Sequence, residues 1–451
     1  MPMHTLLVRF FLSVLLLTAT RGVYSQNVVI DYYNSTDGLS NNYVFDVLRD
    51  QNGFVWCSTH GGLNRFDGVT FTHFFNDPKS ENSPLANRGS RVYADRNGNI
   101  WWVTLASGLN RYNPVTHTFK RFPNPIPGSG SNDKVGYAFA ENKNGTLFML
   151  SEQGLCYYNP IEEKISLYRV ANNDSIWLPR ANVIFFDSHD QMYIAAQGGV
   201  YFIDLNTGSK QLLPGTELFD ADSYGIVEDS RGHFFIATWG GGMLDYNPVT
   251  KTYTRYFGQH ESFKSNLTIY LDVDIVERNG QEFIIYCTNT YLLQELDPRT
   301  GNIISYDLRE ALNDDDQSVI CTSVEVDQQN NIWISTSQGL MLINPLRQLF
   351  KQVPVAEFIR EDWYTSVSAL YQDPADKTGN TLWYVMPQYG LIKSDLTTGE
   401  HKQIRLGAIS TKDVFISQII RQNDSTLLMA GNSGFIRYND ITGQVTQYLY
   451  N

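Results

Sequence analysis

Side chains able to do chemistry are few in this sequence, and they are dispersed. Eight histidines and four cysteines are present, and no two of them stand at the spacing of a metal site. The sequence has no Gly-x-Ser-x-Gly elbow, no His-Glu-x-x-His helix, no phosphate loop and no Gly-x-Gly-x-x-Gly turn. No catalytic residue, metal or cofactor is therefore expected. Carboxylates that meet only in space leave hydrolysis or elimination of polysaccharide open. The remaining chemistry is recognition. Aromatic and basic side chains at turn positions could stack on sugar rings or pair with acidic sugars: Tyr43, His60, Arg88, Trp177, Arg180, Trp239, Trp363 and Tyr389. Trp239 is the leading candidate, because it lies in Thr-Trp-Gly-Gly-Gly at 238–242, where glycine neighbours leave the ring uncovered.

The elements that must position these residues are short strands. Residues 37–75 contain four β-prone runs, separated by Asp-Gln-Asn-Gly, Gly-Gly and Asp-Gly turns. The pattern recurs most clearly at 91–122, 224–256 and 319–350, and more loosely at 135–168, 183–213, 270–306, 367–404 and 416–448. These nine copies lie roughly 40 to 48 residues apart, the period of β-propeller blades. The fold class is all-β: four-stranded antiparallel blades that must lean on one another, since one blade cannot cover its own faces. The preferred division is a leader at 1–25, a seven-bladed ring at 26–355 and two blades of an incomplete second ring at 356–451. A single ring of eight or nine blades over 26–451 is the alternative. The run Val-Val-Ile-Asp-Tyr-Tyr at 28–33 is expected to complete the ring's last blade and remove an exposed edge.

Within each repeat the aromatics Trp56, Trp101, Phe234 and Trp333 are expected between neighbouring sheets. Asp50, Asp95, Asp187, Asp229 and Asp327 should hydrogen-bond the turn that follows them. Gly62, Gly108, Gly154, Gly199, Gly242 and Gly339 should supply positive backbone dihedrals. Cys57 and Cys287 read as core fillers in the same second-strand position. The blades of Cys287 and Cys321 adjoin, so a disulfide between them stays open; spacing alone does not establish it.

The net charge of −13 argues against nucleic acid or anionic lipid as a partner. Residues 1–25 carry basic residues, an apolar run at 10–19 and small residues at Val23 and Ser25, as a secretory leader cut before Gln26 would. That run is short for a membrane anchor.

The combination Asp-Gly-Leu-Ser-Asn-Asn, Asp-x-Asn-Gly-x-x-Trp and Thr-x-Gly-Gly-Leu-Asn-Arg-Phe-Asp-Gly in the first repeat resembles the two-component regulator propeller repeat. Such repeats fill the periplasmic sensor halves of bacterial hybrid histidine kinases, many of which sense glycan fragments. The resemblance implies a periplasmic, non-enzymatic sensor that binds oligosaccharide. It also implies a transmembrane signalling partner or a downstream kinase region, with a homodimer as one mode of assembly. A secreted glycosidase or lyase and a protein-binding scaffold are the rival readings.

Overall fold

The computed structural model describes residues 28–105, 108–123, 135–170, 174–217, 223–257, 269–312, 319–346, 367–373, 376, 380–386, 389–396, 398, 400–406, 415–432 and 434–449. The leader and Trp363 lie outside the described residues. Among the described residues there are nine four-stranded sheets, all antiparallel. The chain divides into two units, Met1–Leu349 with seven sheets and Phe350–Asn451 with two.

Sheet one shows how a repeat folds. Its strands are Val44–Arg49, Val55–Thr59, Gly62–Phe66 and Phe71–Phe74, in that spatial order. The first turn is fixed by Asp50. One carboxylate oxygen accepts from the amides of Asn52 (2.9 Å) and Phe54 (3.0 Å), and the other from the Trp56 indole N–H (2.8 Å). Asp95 does the same for Trp101 (2.8 Å), and Asp327 for Trp333 (3.2 Å). The acid thus orders the hairpin and gives the indole a buried acceptor, without which desolvating its N–H would be costly. Trp56 and Trp101 are fully buried, and both pack on the following sheet: Trp56 against Trp102 and Tyr112, Trp101 against Tyr158 with centroids 4.8 Å apart.

The first strands of sheets two to seven are Gly89–Ala94, Val135–Glu141, Val183–Phe186, Ser223–Glu228, Tyr270–Arg278 and Cys321–Val326. Sheet seven takes its fourth strand from the other end of the unit. Ile30–Tyr33 pairs with Leu340–Ile343 in the register Ile30↔Ile343. Sheet seven also returns to sheet one. The Thr322 hydroxyl donates to the Val44 carbonyl at 2.7 Å, and Trp333, Leu340 and Leu342 share a core with Val47, Val55 and Cys57. All six glycines named above have positive φ. At Gly339 (φ 159°) a Cβ would meet the Tyr33 carbonyl at 2.5 Å, so the closing strand requires glycine there.

The second unit is a pair of sheets, beginning at Ala369–Gln372 and Ile416–Asn423, around a core of Trp383, Leu391, Ile419, Leu427, Met429 and Ile436.

One sequence expectation is corrected by register. Cys57 and Cys287 are not equivalent. Cys57 lies opposite Val47, two residues before the strand-ending Thr59; Cys287 lies opposite Asp272, immediately before Thr288. Adjacent strand residues face opposite sides, so the two thiols enter different interfaces. All four cysteines are buried and free.

Candidate ligand-binding face and central channel

The start of each first strand and the turn between second and third strands share one end of the sheet. The backbone repeats a single bond there: a turn amide donates to the carbonyl just ahead of the first strand. It runs from His60 to Tyr43 (3.2 Å), Leu105 to Arg88 (2.9 Å), Gln197 to Pro179 (2.9 Å), Asn289 to Ile269 (3.0 Å) and Ser337 to Ile320 (2.9 Å). Strand starts, links and turns therefore form one rim.

Six of the sequence candidates lie on this rim. Tyr43 and His60 stack at 4.5 Å, and Phe45 tilts against His60 at 4.6 Å, a contact the sequence reading did not include. The His60 Nε2 is buried without a hydrogen-bond partner. Burial, reinforced by the Arg88 charge, lowers its pKa and keeps the ring neutral. Trp177 and Arg180 lie in the link between sheets three and four. The Trp177 indole donates to the Glu152 carbonyl at 2.9 Å, which pins a half-exposed ring to the turn of sheet three. Trp239 occupies the turn of sheet five, bridges to Ile269 ahead of sheet six and is 38% exposed. The structure thus joins Tyr43, His60 and Arg88 in one group and places Trp177, Arg180 and Trp239 at separate points of the same rim. Tyr389 belongs to the second unit, where Gln403 donates to its carbonyl at 2.7 Å.

A second feature was not read from the sequence. A cavity of about 420 Å³ is lined by all seven first strands, with Asp46, Arg91, Asp272, Asp274 and Glu325 among its walls. The edge of an innermost strand has amides with no neighbouring strand to bond, and these carboxylates take them up. Asp46 accepts from the Val92 amide of sheet two (2.9 Å) and the Ser323 hydroxyl of sheet seven (2.8 Å). Asp272 and Asp274 of sheet six accept from the amides of Val324 (3.3 Å) and Val326 (2.6 Å) of sheet seven. The acids therefore tie neighbouring sheets together around the channel.

Enclosure makes their ionisation costly. Desolvation raises the Asp272 carboxyl to about 6, partly offset by Arg91, and raises Asp274 to about 7 despite its amide donors. Glu325 is pushed well above the usual carboxylate range by burial and then by Asp274, Asp272 and Asp46. Arg91 keeps its proton: desolvation opposes the charge, and Asp46 and Asp272 outweigh it. Among the described residues no group of histidine, cysteine and carboxylate side chains is placed to hold a metal. The signal in the sequence was an acid inside three of the apolar first strands: Asp46 in VFDVLR, Asp272 and Asp274 in YLDVDIVER, Glu325 in CTSVEV.

Residues 38–61 match the model of the two component regulator propeller family. A stretch of 59 residues is 39% identical to "Histidine kinase P4" of Formosa agariphila, covering 13% of this chain and 4% of that protein. Among solved structures, the chain is similar to the extracellular domain of a hybrid two component system of B. thetaiotaomicron, with TM-score 0.56, 19% identity, 94% of this chain and 60% of that one. A second such domain from the same organism gives TM-score 0.53, 19% identity, 93% and 53%. Virginiamycin B lyase of Staphylococcus aureus gives TM-score 0.52, 12% identity, 70% and 98%. Identities this low establish the propeller fold and no more. The chain spans little over half the length of the two sensor domains. The resemblance read from the first repeat therefore holds for repeat and fold. Among the described residues no helix is long and apolar enough to cross a membrane.

Proposed function

We propose that this chain is a periplasmic ligand-sensing propeller of a two-component system, which binds an oligosaccharide on the rim of its first unit and does no chemistry on it. One observation carries the reading: the two component regulator propeller match lies in the first repeat of a chain whose fold is that of sensor extracellular domains. Tyr43, His60, Arg88, Trp177, Arg180 and Trp239 supply the contacts, Trp239 foremost. Bound sugar must favour one arrangement of the sensor over another, or no signal passes. A transmembrane partner or linked kinase region carries that change inward, and a homodimer is one arrangement able to do so.

The test is calorimetry of the intact chain against neutral and acidic oligosaccharides. Binding to at least one, weakened about tenfold by Trp239→Ala with no change in melting temperature, is expected. Silence across both classes refutes the reading. The lyase neighbour keeps an enzymatic alternative in view, because propellers host both roles. Release of new reducing or unsaturated ends by the purified chain would replace sensing with turnover.

A further inference from the structure

The seam between sheets six and seven holds two thiols that the strand registers aim at each other. In sheet one, Thr59 ends the second strand opposite Val44, and Ser58 precedes it. In sheet six, Thr288 lies opposite Tyr270 and Cys287 precedes it; in sheet seven, Thr336 lies opposite Cys321. Cys287 therefore stands where Ser58 stands, and Cys321 where Val44 stands. Ser58 faces forward, since its hydroxyl accepts from the Trp102 indole of sheet two at 2.8 Å. Val44 faces backward, in a shared core with Leu340 and Leu342 of sheet seven. By the same geometry Cys287 points forward from sheet six and Cys321 backward from sheet seven.

The packing agrees. Both side chains are fully buried in one core cluster, and the neighbouring Cys321 adds to the burial that raises the Cys287 thiol. The Cys321 amide donates to the Thr290 carbonyl at 3.2 Å, which holds the two sheets together beside the pair.

We propose that Cys287 and Cys321 are a site of disulfide formation that staples sheet six to sheet seven when the chain folds in an oxidising compartment. The oxidant is a disulfide of the glutathione or oxidoreductase class. One cysteine thiolate attacks it and releases one thiol. The second thiolate then attacks the mixed disulfide and releases the other, so two protons and two electrons leave the protein. Burial raises the Cys287 thiol well above its ordinary range, so exchange belongs to folding, before the seam closes. Cys57 and Cys156 lie in other interfaces and remain thiols. The inference uses the export reading only for the oxidant available in the cell. The following test supplies its own oxidant, so its failure would leave the sensing proposal intact.

The full chain is refolded in reduced and oxidised glutathione, and its thiols are then counted in guanidinium. Two of the four cysteines should remain free, and peptide mapping should join 287 to 321. Cys287→Ser and Cys321→Val, each carrying the residue found at the equivalent position elsewhere in the ring, should keep every remaining thiol free. Reductant should lower the melting temperature of the oxidised wild type by about 5 °C and leave both variants unchanged. Four free thiols in the wild type, or a pair that survives Cys287→Ser, would overturn the inference.

Discussion

Replacing Asp274 with asparagine should stabilise this protein at pH 8 more than at pH 5. The carboxyl ionises at about 7 in the fold, against 3.8 for a free aspartate. Its folded pKa is raised, so between those values the native state holds a proton that the unfolded chain has released. Stability from this group is complete below about pH 4 and lost as pH rises through 7. The full loss at pH 8 is roughly 4 kcal/mol, and the side facing the channel is screened, which leaves about 2 kcal/mol. Asparagine keeps a carbonyl acceptor for the Val326 amide (2.6 Å) or the Ile275 amide (2.7 Å) and gives up the other, at a cost of about 1 kcal/mol. That cost is the same at both pH values, and the ionisation cost is not. Asp272, Glu325, Asp46 and Arg91 share the cavity, so the comparison is made as variant minus wild type. Urea unfolding at pH 5 and pH 8 reads the result. The variant should gain at least about 1 kcal/mol relative to wild type on going to pH 8. A difference independent of pH would show that the carboxylate is not costly to ionise and that the account of the channel is wrong.

Three further outcomes follow from the blades themselves. Trp56→Phe removes the indole donor to Asp50 while retaining most of the ring, and should lower stability by roughly 2 kcal/mol in urea titration; no loss would mean the bond is not formed. Gly339→Ala forces a Cβ against the Tyr33 carbonyl at a positive φ and should cost roughly 2 to 4 kcal/mol, with early hydrogen exchange at Ile30–Tyr33. Ile284→Ala empties a fully buried site in sheet six and should cost roughly 3 kcal/mol, read as a fall in thermal midpoint.

Much of the strand order was legible because turn chemistry repeats. Asp50-Gln51-Asn52-Gly53 and Asp67-Gly68 delimit strands that end at Arg49 and Phe66 and resume at Val55 and Phe71. The turn-binding role of Asp50 was also legible, since a short acid before Asn-Gly has few other uses; its bond to Trp56 was not, because that depends on how the indole folds back. Register was the weak point. Cys57 and Cys287 looked alike as the cysteine of an apolar second strand, and a shift of one residue turns them to opposite faces. The channel acids were passed over for a related reason. Periodicity marks which side of a strand faces a neighbouring sheet and says nothing of which edge lies innermost, so nothing in the pattern sets Asp272 and Asp274 apart. The rim candidates were placed by topology, and the stacking of Tyr43 on His60 emerged only when the two segments met.

The pairing of Ile30 with Ile343 sets an order of events. The strand Ile30–Tyr33 has its partner some three hundred residues later, and closing so long a loop is entropically slow. Until that pairing forms, the outer edge at Leu340–Ile343 stays open to any extended peptide that reaches it first. Ile30–Tyr33 and Leu340–Ile343 therefore act as a clasp fastened last.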